Sequence, residues 1–235
     1  MNFIYLKKFG GGNEMDVVEA LNSRFTCRAF KEDPVSRETV LKIMEEATRS
    51  PSWANTQPWE IFVAGGEVLE KIRRAFMENF ANDVPRDPDV PWVDEWPEKH
   101  EERIKELGIK RYKHLGISRD DEVARNASWR LNFKFFGAPL VVYLCMDESL
   151  SEWSIFDLGS LSQSIMLVAQ GHGVDTAPAV NLVAYPKIIR KEMEIPDELT
   201  VVFGIAMGYS DSKSPQNTFK STRRPLDEVL RMKGI

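Results

Sequence analysis

The chain has 235 residues, of which 43% are hydrophobic and 29% are charged, and its formal net charge is -5. These proportions exclude a disordered chain, and the acidic balance gives no electrostatic reason to expect nucleic acid or an anionic membrane as a partner. The length is enough for one domain with its own core, or for one that shares its core with a partner chain.

The first residues differ in character from the rest. Residues 1–9 are too short and too poor in apolar length for a signal peptide or a membrane span, and the glycines at 10–12 are typical of a flexible link. We therefore expect a flexible N-terminal extension over residues 1–14 and a single domain over residues 15–235.

Cysteine and histidine usage offers no support for a disulfide framework or a metal centre. Cys27 and Cys145 lie far apart, and the three histidines are scattered without Glu or Cys at ligand spacing. We expect no metal site, and a reducing cytoplasm fits the chain best.

Helices and strands are predicted in turn along the first third of the chain. Apolar residues at helical spacing indicate a helix over residues 16–21, and Ser36 caps a second amphipathic helix that ends before Pro51. A strand over residues 59–64 then precedes a helix over residues 68–80.

Residues 81–121 form the segment least dictated by a core. Four prolines alternate there with Trp92 and Trp96, and a charged helix follows from residue 98 to about residue 106. Two interpretations stay open: a lid-like insertion that carries aromatic residues over a flat cofactor, or a surface insertion that its tryptophans pin down.

The second half is richer in apolar segments. Residues 138–146 are typical of a buried strand, and residues 156–172 form an apolar and small-residue helix of the kind that is usually buried. A helix over residues 185–193, a strand over residues 200–207 and a polar tail complete the chain.

Two arginine-bearing segments lie at opposite ends of the sequence. Arg24, Thr26 and Arg28 precede an extended Phe30, and Arg223 lies in the tail. Guanidinium groups and a hydroxyl suit a phosphate or a polar ring edge. Between them, residues 51–59 carry amides and aromatic residues between prolines. Each segment alone is weak evidence for a binding site, because paired arginines more often lie on a solvent-exposed face.

In combination the segments resemble the nitroreductase family of FMN-dependent oxidoreductases over residues 15–230. The Arg-x-Thr-x-Arg-x-Phe signature, the Pro-Ser-x-x-Asn-x-Gln-Pro-Trp loop and the Arg-x-Pro-Leu-x-Glu-like tail occur in the family's order. The resemblance implies an α+β fold with a central, mostly antiparallel sheet flanked by helices. It also implies an intertwined homodimer with FMN sites at the subunit interface, in which the helix over residues 156–172 forms much of the interface.

The same resemblance implies roles for individual residues. Arg24 and Arg223 would hold the FMN phosphate, and Arg28 would act as an electrostatic tuner at the pyrimidine edge of the flavin. Thr26 would add a hydroxyl, and Phe25 and Cys27 would contribute through their backbone. The resemblance also implies cofactor binding by the loop positions Pro51, Ser52, Trp53, Asn55 and Gln57, of which the first three would come from the other subunit. The last implied cofactor-binding residues are Thr176, Ala177 and Pro178, a segment that would offer a backbone N–H near flavin N5.

The implied activity needs no catalytic side chain. Hydride would pass from NADPH or NADH through flavin N5 to nitroaromatic, quinone or similar electron-poor acceptors in a ping-pong reaction. No GxGxxG motif or ribose-reading acid is present, so the choice between NADH and NADPH stays open. Alternatives are another chemistry on the same fold, such as dehalogenation, enoyl-type reduction or flavin destruction, and a non-catalytic flavin sensor or storage protein.

Overall fold

An antiparallel sheet of four strands forms the centre of the computed structural model, which describes residues 15–234. Its strands are β1 (Glu60–Gly65), β2 (Leu140–Asp147), β3 (Asp175–Pro178) and β4 (Leu199–Gly208), in the spatial order β1-β2-β4-β3. All three strand pairings are antiparallel. The predicted α+β class and antiparallel sheet are therefore confirmed, whereas the predicted extension over residues 1–14 lies outside the described residues.

Helices cover both faces of this sheet. The described residues form α1 (Val17–Ser23), α2 (Arg37–Ala47), α3 (Gly66–Ala81), α4 (Glu98–His114), α5 (Glu122–Arg130), α6 (Glu152–Gly171), α7 (Pro186–Met193), α8 (Pro215–Thr218) and α9 (Leu226–Val229). α3 and α7 pack on one face and α2 and α6 on the other, so that each face has its own hydrophobic cluster.

The central strand β2 joins the two clusters. Its alternate residues Val141 and Tyr143 belong to the cluster of α3 and α7, and Val142 and Leu144 belong to the cluster of α2 and α6. Successive side chains of a strand point to opposite faces, so a strand covered on both sides is apolar throughout. This explains the continuous apolar run that predicts a buried strand.

Most predicted elements are observed within a few residues of their predicted bounds, and α2 starts at its predicted cap, where Ser36 Oγ accepts a hydrogen bond from the Thr39 N–H at 3.1 Å. α4 continues to His114, beyond the predicted end near residue 106. Four elements were not predicted: α5, β3, α8 and α9. The Asp121 carboxylate, which accepts from the Ala124 N–H at 2.9 Å, is the capping signal that marks the start of α5.

The arginine signature runs along the edge of the sheet. Thr26 forms a parallel bridge with Thr176 of β3, and Phe30 pairs with Ser210 just beyond β4. Gly208 permits this approach, because a Cβ there would lie 2.5 Å from Pro139 Cδ and 3.0 Å from Phe30 Cδ1. The predicted extended conformation around Phe30 is therefore the conformation of a strand edge.

The insertion over residues 81–121 is fastened at both ends. Near its start, the Asp89 carboxylate accepts two hydrogen bonds from Arg190 and one from the Val201 N–H at 2.7 Å. At its other end, α4 meets the C-terminal tail, where His114 Nε2 lies 2.8 Å from Thr218 Oγ1. Trp92 packs against the core, whereas Trp96 is half exposed. Of the two tryptophans, only Trp92 therefore pins the insertion to the core.

Gly204 allows the packing of β4 against Leu182 to be tested. A Cβ on Gly204 would lie 2.5 Å from Leu182 Cβ, an atom at the base of its side chain that cannot move aside. We expect Gly204→Ala to lower the free energy of unfolding by about 1–3 kcal/mol, the usual cost of overpacking a core. Urea denaturation measures this change. The control is Gly108→Ala on α4, where a Cβ meets nothing within 4 Å; it should leave stability unchanged or raise it.

Candidate functional site

Arg24, in the first part of the chain, lies near Arg223 of the C-terminal tail. Arg24 ends α1, and its Nε is buried without a hydrogen-bond partner among the described residues. Burial lowers the Arg24 pKa, and the nearby positive charge of Arg223 lowers it further. Arg223 Nη1 donates only to its own tail, at 2.9 Å to Ser221 Oγ and 3.2 Å to the Thr222 carbonyl.

Arg28 and Arg111 form a second arginine pair. Burial and the charge of Arg111 lower the Arg28 pKa to about 10, and burial lowers the Arg111 pKa. Arg111 comes from α4, and its Nη2 donates to Gln216 Oε1 at 2.9 Å. Sequence reasoning missed Arg111, because an arginine in a charged helix is usually solvated.

None of these four arginines has a carboxylate partner. Within residues 15–234, the arginines that do form ion pairs are Arg73, Arg190 and Arg224. Arg24, Arg28 and Arg111 are half-buried, whereas Arg223 is exposed. Partly buried guanidinium groups that repel one another and have no counter-ion are costly unless an anion joins them. The arrangement therefore has the chemistry of an anion site with donors prepared for phosphate or a similar group.

Asn217 fixes the backbone of the signature. Its Oδ1 accepts from the N–H groups of Arg28 at 2.8 Å and Ala29 at 3.2 Å, and its Nδ2 donates to the carbonyls of Ala29 at 2.7 Å and Asp211 at 3.0 Å. The side chain is buried. Sequence reasoning missed Asn217 too. The only sequence feature that points to its position is the pair Ser214 and Pro215, which cap and begin the short helix α8 that contains Asn217.

The other signature residues lie between the arginines. Phe25 and Thr26 are half-buried, and the Thr26 carbonyl lies 3.4 Å from Arg28 Nη1. Cys27 is fully buried, and burial raises its thiol pKa to about 12. The thiol is therefore neutral at physiological pH, and the contribution of the Cys27 backbone to a cofactor stays a prediction.

The predicted segment Thr176, Ala177 and Pro178 is β3, next to the signature. The Thr176 carbonyl accepts a hydrogen bond from the Cys27 N–H at 3.0 Å, and Thr176 and Ala177 are buried. The segment thus lies on the same edge as Arg24 and Arg28. Its contribution of a backbone N–H to a cofactor stays a prediction.

The predicted loop over residues 51–57 is fastened to α6. The Trp53 N–H donates to Asp157 Oδ2 at 3.1 Å, and Ser50 Oγ donates to Ser164 Oγ at 2.6 Å. Ser52 Oγ accepts from the Gln57 N–H at 2.9 Å. Pro51 and Asn55 are exposed, and Asn55 and Gln57 have φ values of 59° and 48°, a left-handed conformation that costs free energy for non-glycine residues.

The predicted site residues of one chain therefore fall into two separate groups. The segment of Arg24 and Arg28 lies against β3, and Arg223 lies near Arg24, but none of the hydrogen bonds found in residues 15–234 joins the loop at 51–57 to these arginines. The loop instead borders an apolar pocket of about 240 Å³ with Trp153 and Phe156 of α6. Trp53, Trp153 and Phe156 are 67%, 65% and 71% exposed.

Metal-binding clusters and membrane-spanning helices are both absent from residues 15–234. No group of three or more His, Cys, Asp or Glu side chains is arranged to hold a metal ion there. In the same residues, no helix combines the length and the apolar character needed to cross a bilayer.

The fold defines an α+β protein with a four-stranded antiparallel sheet and a group of arginines near one sheet edge. The family model described as "Nitroreductase family" matches residues 21–209, so the chain belongs to the nitroreductase family. The resemblance seen in the signatures is thereby confirmed.

Characterised relatives match over almost the whole chain. A 4-nitrobenzoate reductase of Pseudomonas putida is 32% identical over 95% of this chain and 97% of its own length. A nitrobenzene nitroreductase of Ectopseudomonas oleovorans is 32% identical over 89% of this chain and 93% of its own.

Solved structures share the fold. The FMN- and NADPH-dependent nitroreductase NfnB of a Sphingopyxis strain has a TM-score of 0.89 at 30% identity and covers 94% of this chain and 100% of its own. NfnB of Mycobacterium smegmatis, solved in complex with NADPH, has a TM-score of 0.86 at 28% identity, with 93% and 100% coverage.

Proposed function

We propose that the protein is an FMN-dependent oxidoreductase that transfers hydride from NAD(P)H to nitroaromatic and related electron-poor acceptors, including quinones. The observation that carries the proposal is that Arg24 lies near Arg223 and Arg28 lies near Arg111, while none of the four forms an ion pair with a carboxylate of residues 15–234. Membership of the nitroreductase family and the FMN-dependent relatives support FMN as the ligand of these arginines.

The residues present fit FMN. Its phosphate carries about two negative charges, which match Arg24 and Arg223 and would give the buried Arg24 Nε a partner. Thr26 offers a hydroxyl beside them, and the backbones of Phe25, Cys27 and residues 176–178 border the same edge. When bound, FMN supplies the two-electron hydride chemistry for which a protein has no suitable side chain.

Arg28 has the surroundings of an electrostatic tuner. It keeps its charge at neutral pH, since its pKa is about 10, and Asn217 holds its backbone. A fixed cation at the pyrimidine edge stabilises the negative charge that the reduced cofactor carries there. It needs no proton transfer to do so.

Arg28→Ala should consequently lower the two-electron reduction potential of bound FMN. Losing a charge-assisted interaction of about 1.5–3 kcal/mol corresponds to about 30–60 mV. Spectroelectrochemical titration measures the shift. Arg28→Lys, which keeps the charge, should retain most of the wild-type potential, and equal potentials in all three proteins would count against this role.

We further propose a homodimer in which Pro51, Ser52 and Trp53 of one subunit complete the arginine site of the other. The support is that no hydrogen bond within residues 15–234 joins this loop to the arginines of its own chain, and that exposed aromatic residues lie beside the loop. Asn55 and Gln57 would offer amides that both donate and accept, as the pyrimidine edge requires. Pro51, Ser52 and Trp53 would form the rest of the contact.

The donor and the acceptor would use this site in turn, in a ping-pong reaction. The role of the chain is to bind, orient and exclude water, and the neutral Cys27 thiol takes no part as an acid or base. A reducing cytoplasm suits the two buried free cysteines, Cys27 and Cys145.

The visible spectrum of the purified protein tests the proposal. Flavin absorption that bleaches on anaerobic addition of NADPH or NADH, and returns when a nitroaromatic is added, is the expected result. Flavin absorption that persists would indicate a sensor or storage protein, and loss of the flavin itself would indicate flavin destruction. Absence of binding after FMN is added would overturn the proposal.

A further inference from the structure

A large groove separates the insertion helix α4 from the C-terminal tail. Its volume is about 870 Å³, within the range of small-molecule sites. α4 contributes the cations Lys99, Arg103 and Lys110. The tail contributes Lys220, Arg223, Arg224 and Arg231.

The groove is strongly positive on a chain whose net charge is negative. Its lining holds seven cationic side chains and three carboxylates, those of Glu102, Glu106 and Glu228. Two of the carboxylates are already paired, Glu106 with Lys110 at 3.2 Å and Glu228 with Arg224 at 3.1 Å. The remaining cations make the groove a site for anions.

One phosphate group does not account for this charge. Arg223 lines the groove and also lies beside Arg24, where the FMN phosphate is proposed to bind. That phosphate carries about two negative charges, which Arg24 and Arg223 already balance. Lys99, Arg103, Lys220 and Arg231 are left for a second anion whose position continues from the cofactor site.

We propose that this groove binds the adenosine 2′-phosphate of NADPH and thereby makes the enzyme prefer NADPH to NADH. The inference rests on the proposed function, since it assumes a nicotinamide donor at the neighbouring cofactor. The 2′-phosphate adds about two negative charges and is the only group by which NADPH differs from NADH. With Arg223 assigned to the FMN phosphate, six cations and three carboxylates line the groove, and this local excess of three positive charges recognises that difference.

The test variant is Lys99→Ala combined with Arg103→Ala. The matched control is Lys105→Ala combined with Lys113→Ala: it lies on the same helix and removes the same charge, but neither residue lines the groove. Lys105 instead pairs with Glu101 at 2.9 Å. The measured quantity is the ratio of kcat/KM for NADPH to kcat/KM for NADH.

The test variant should lower this ratio by about tenfold to a hundredfold, the effect of losing one charge-assisted contact. Added salt should lower the wild-type ratio in the same direction, because exposed charges are screened. The control variant should keep the wild-type ratio. An equal fall in both variants, or no preference in the wild type, would overturn the proposal.

A binding measurement separates this inference from the proposed function. Calorimetry with adenosine 2′,5′-bisphosphate and with adenosine 5′-monophosphate needs neither FMN nor turnover. We expect the 2′-phosphorylated nucleotide to bind at least tenfold more tightly, and the test variant to lose this difference. Equal affinities would refute the groove as a 2′-phosphate site even if the protein proves to be an FMN-dependent reductase; a clear difference would support it even if turnover fails.

Discussion

Arg24→Ala and Arg223→Ala are each expected to yield protein that purifies largely free of FMN. Each substitution removes a charge-assisted contact to the phosphate of about 1.5–3 kcal/mol, and hence weakens binding by about tenfold to a hundredfold. Fluorescence titration of FMN into the apoprotein measures the loss. Arg74→Ala is the control, since Arg74 is exposed on α3, away from the site.

The stability of the apoprotein distinguishes a binding role from a structural one. The Arg24 pKa is lowered in the folded chain, which means that folding disfavours its charged form. Removing that charge should therefore leave the melting temperature of the apoprotein unchanged or higher, while the stabilisation by added FMN becomes smaller. A variant that melts earlier yet keeps its FMN affinity would contradict the assignment.

The residues predicted from sequence are those whose role depends on local chain order. Arg24, Thr26 and Arg28 follow the end of a helix within five positions, and their extended backbone follows from strand pairing at residues 26 and 30. Arg111 and Asn217 could not be found in this way. Arg111 enters the site only because α4 packs against the tail at Gln216, and Asn217 holds a backbone 188 positions away.

The elements of the fold also differ in how much of their role the sequence alone reveals. The continuous apolar run predicts β2, because a strand that is buried on both faces has apolar residues at successive positions. The apolar helix α6 was predicted too, but its pattern does not reveal which side the chain itself buries. Leu161 lies fully inside the core, whereas Trp153 and Phe156 on the first turns are exposed. Only the packing of α6 against α2 and β2 separates these two sets.

Phe156→Glu is expected to convert the protein into a folded monomer without FMN. Phe156 is 71% exposed beside Trp153, so a carboxylate there costs nothing in one chain but several kcal/mol if a partner buries it. Dimer affinity should fall at least about a hundredfold. Leu161→Glu is a poorer test, because Leu161 is 0% exposed and its substitution would unfold the chain itself. Analytical ultracentrifugation measures the mass, and circular dichroism checks the fold.

Val123→Glu provides the matched control for this prediction. Val123 is 82% exposed on α5 and receives the same charge, but it lies outside the surface formed by the loop and α6. It should stay dimeric and retain FMN. A Phe156→Glu monomer that binds FMN as tightly as the wild type would refute the shared site, and an unchanged dimer would place the interface elsewhere.

Mixing two defective proteins shows whether the loop and the arginines of one site come from different subunits. Arg24→Ala lacks a phosphate contact but has an intact loop, and Trp53→Ala has the converse defect. In a heterodimer of the two, one site combines the intact arginines of one chain with the intact loop of the other, and the second site carries both defects. FMN should therefore return at one site per heterodimer. If arginines and loop of the same chain served one cofactor, every site would keep one defect and mixing would restore nothing.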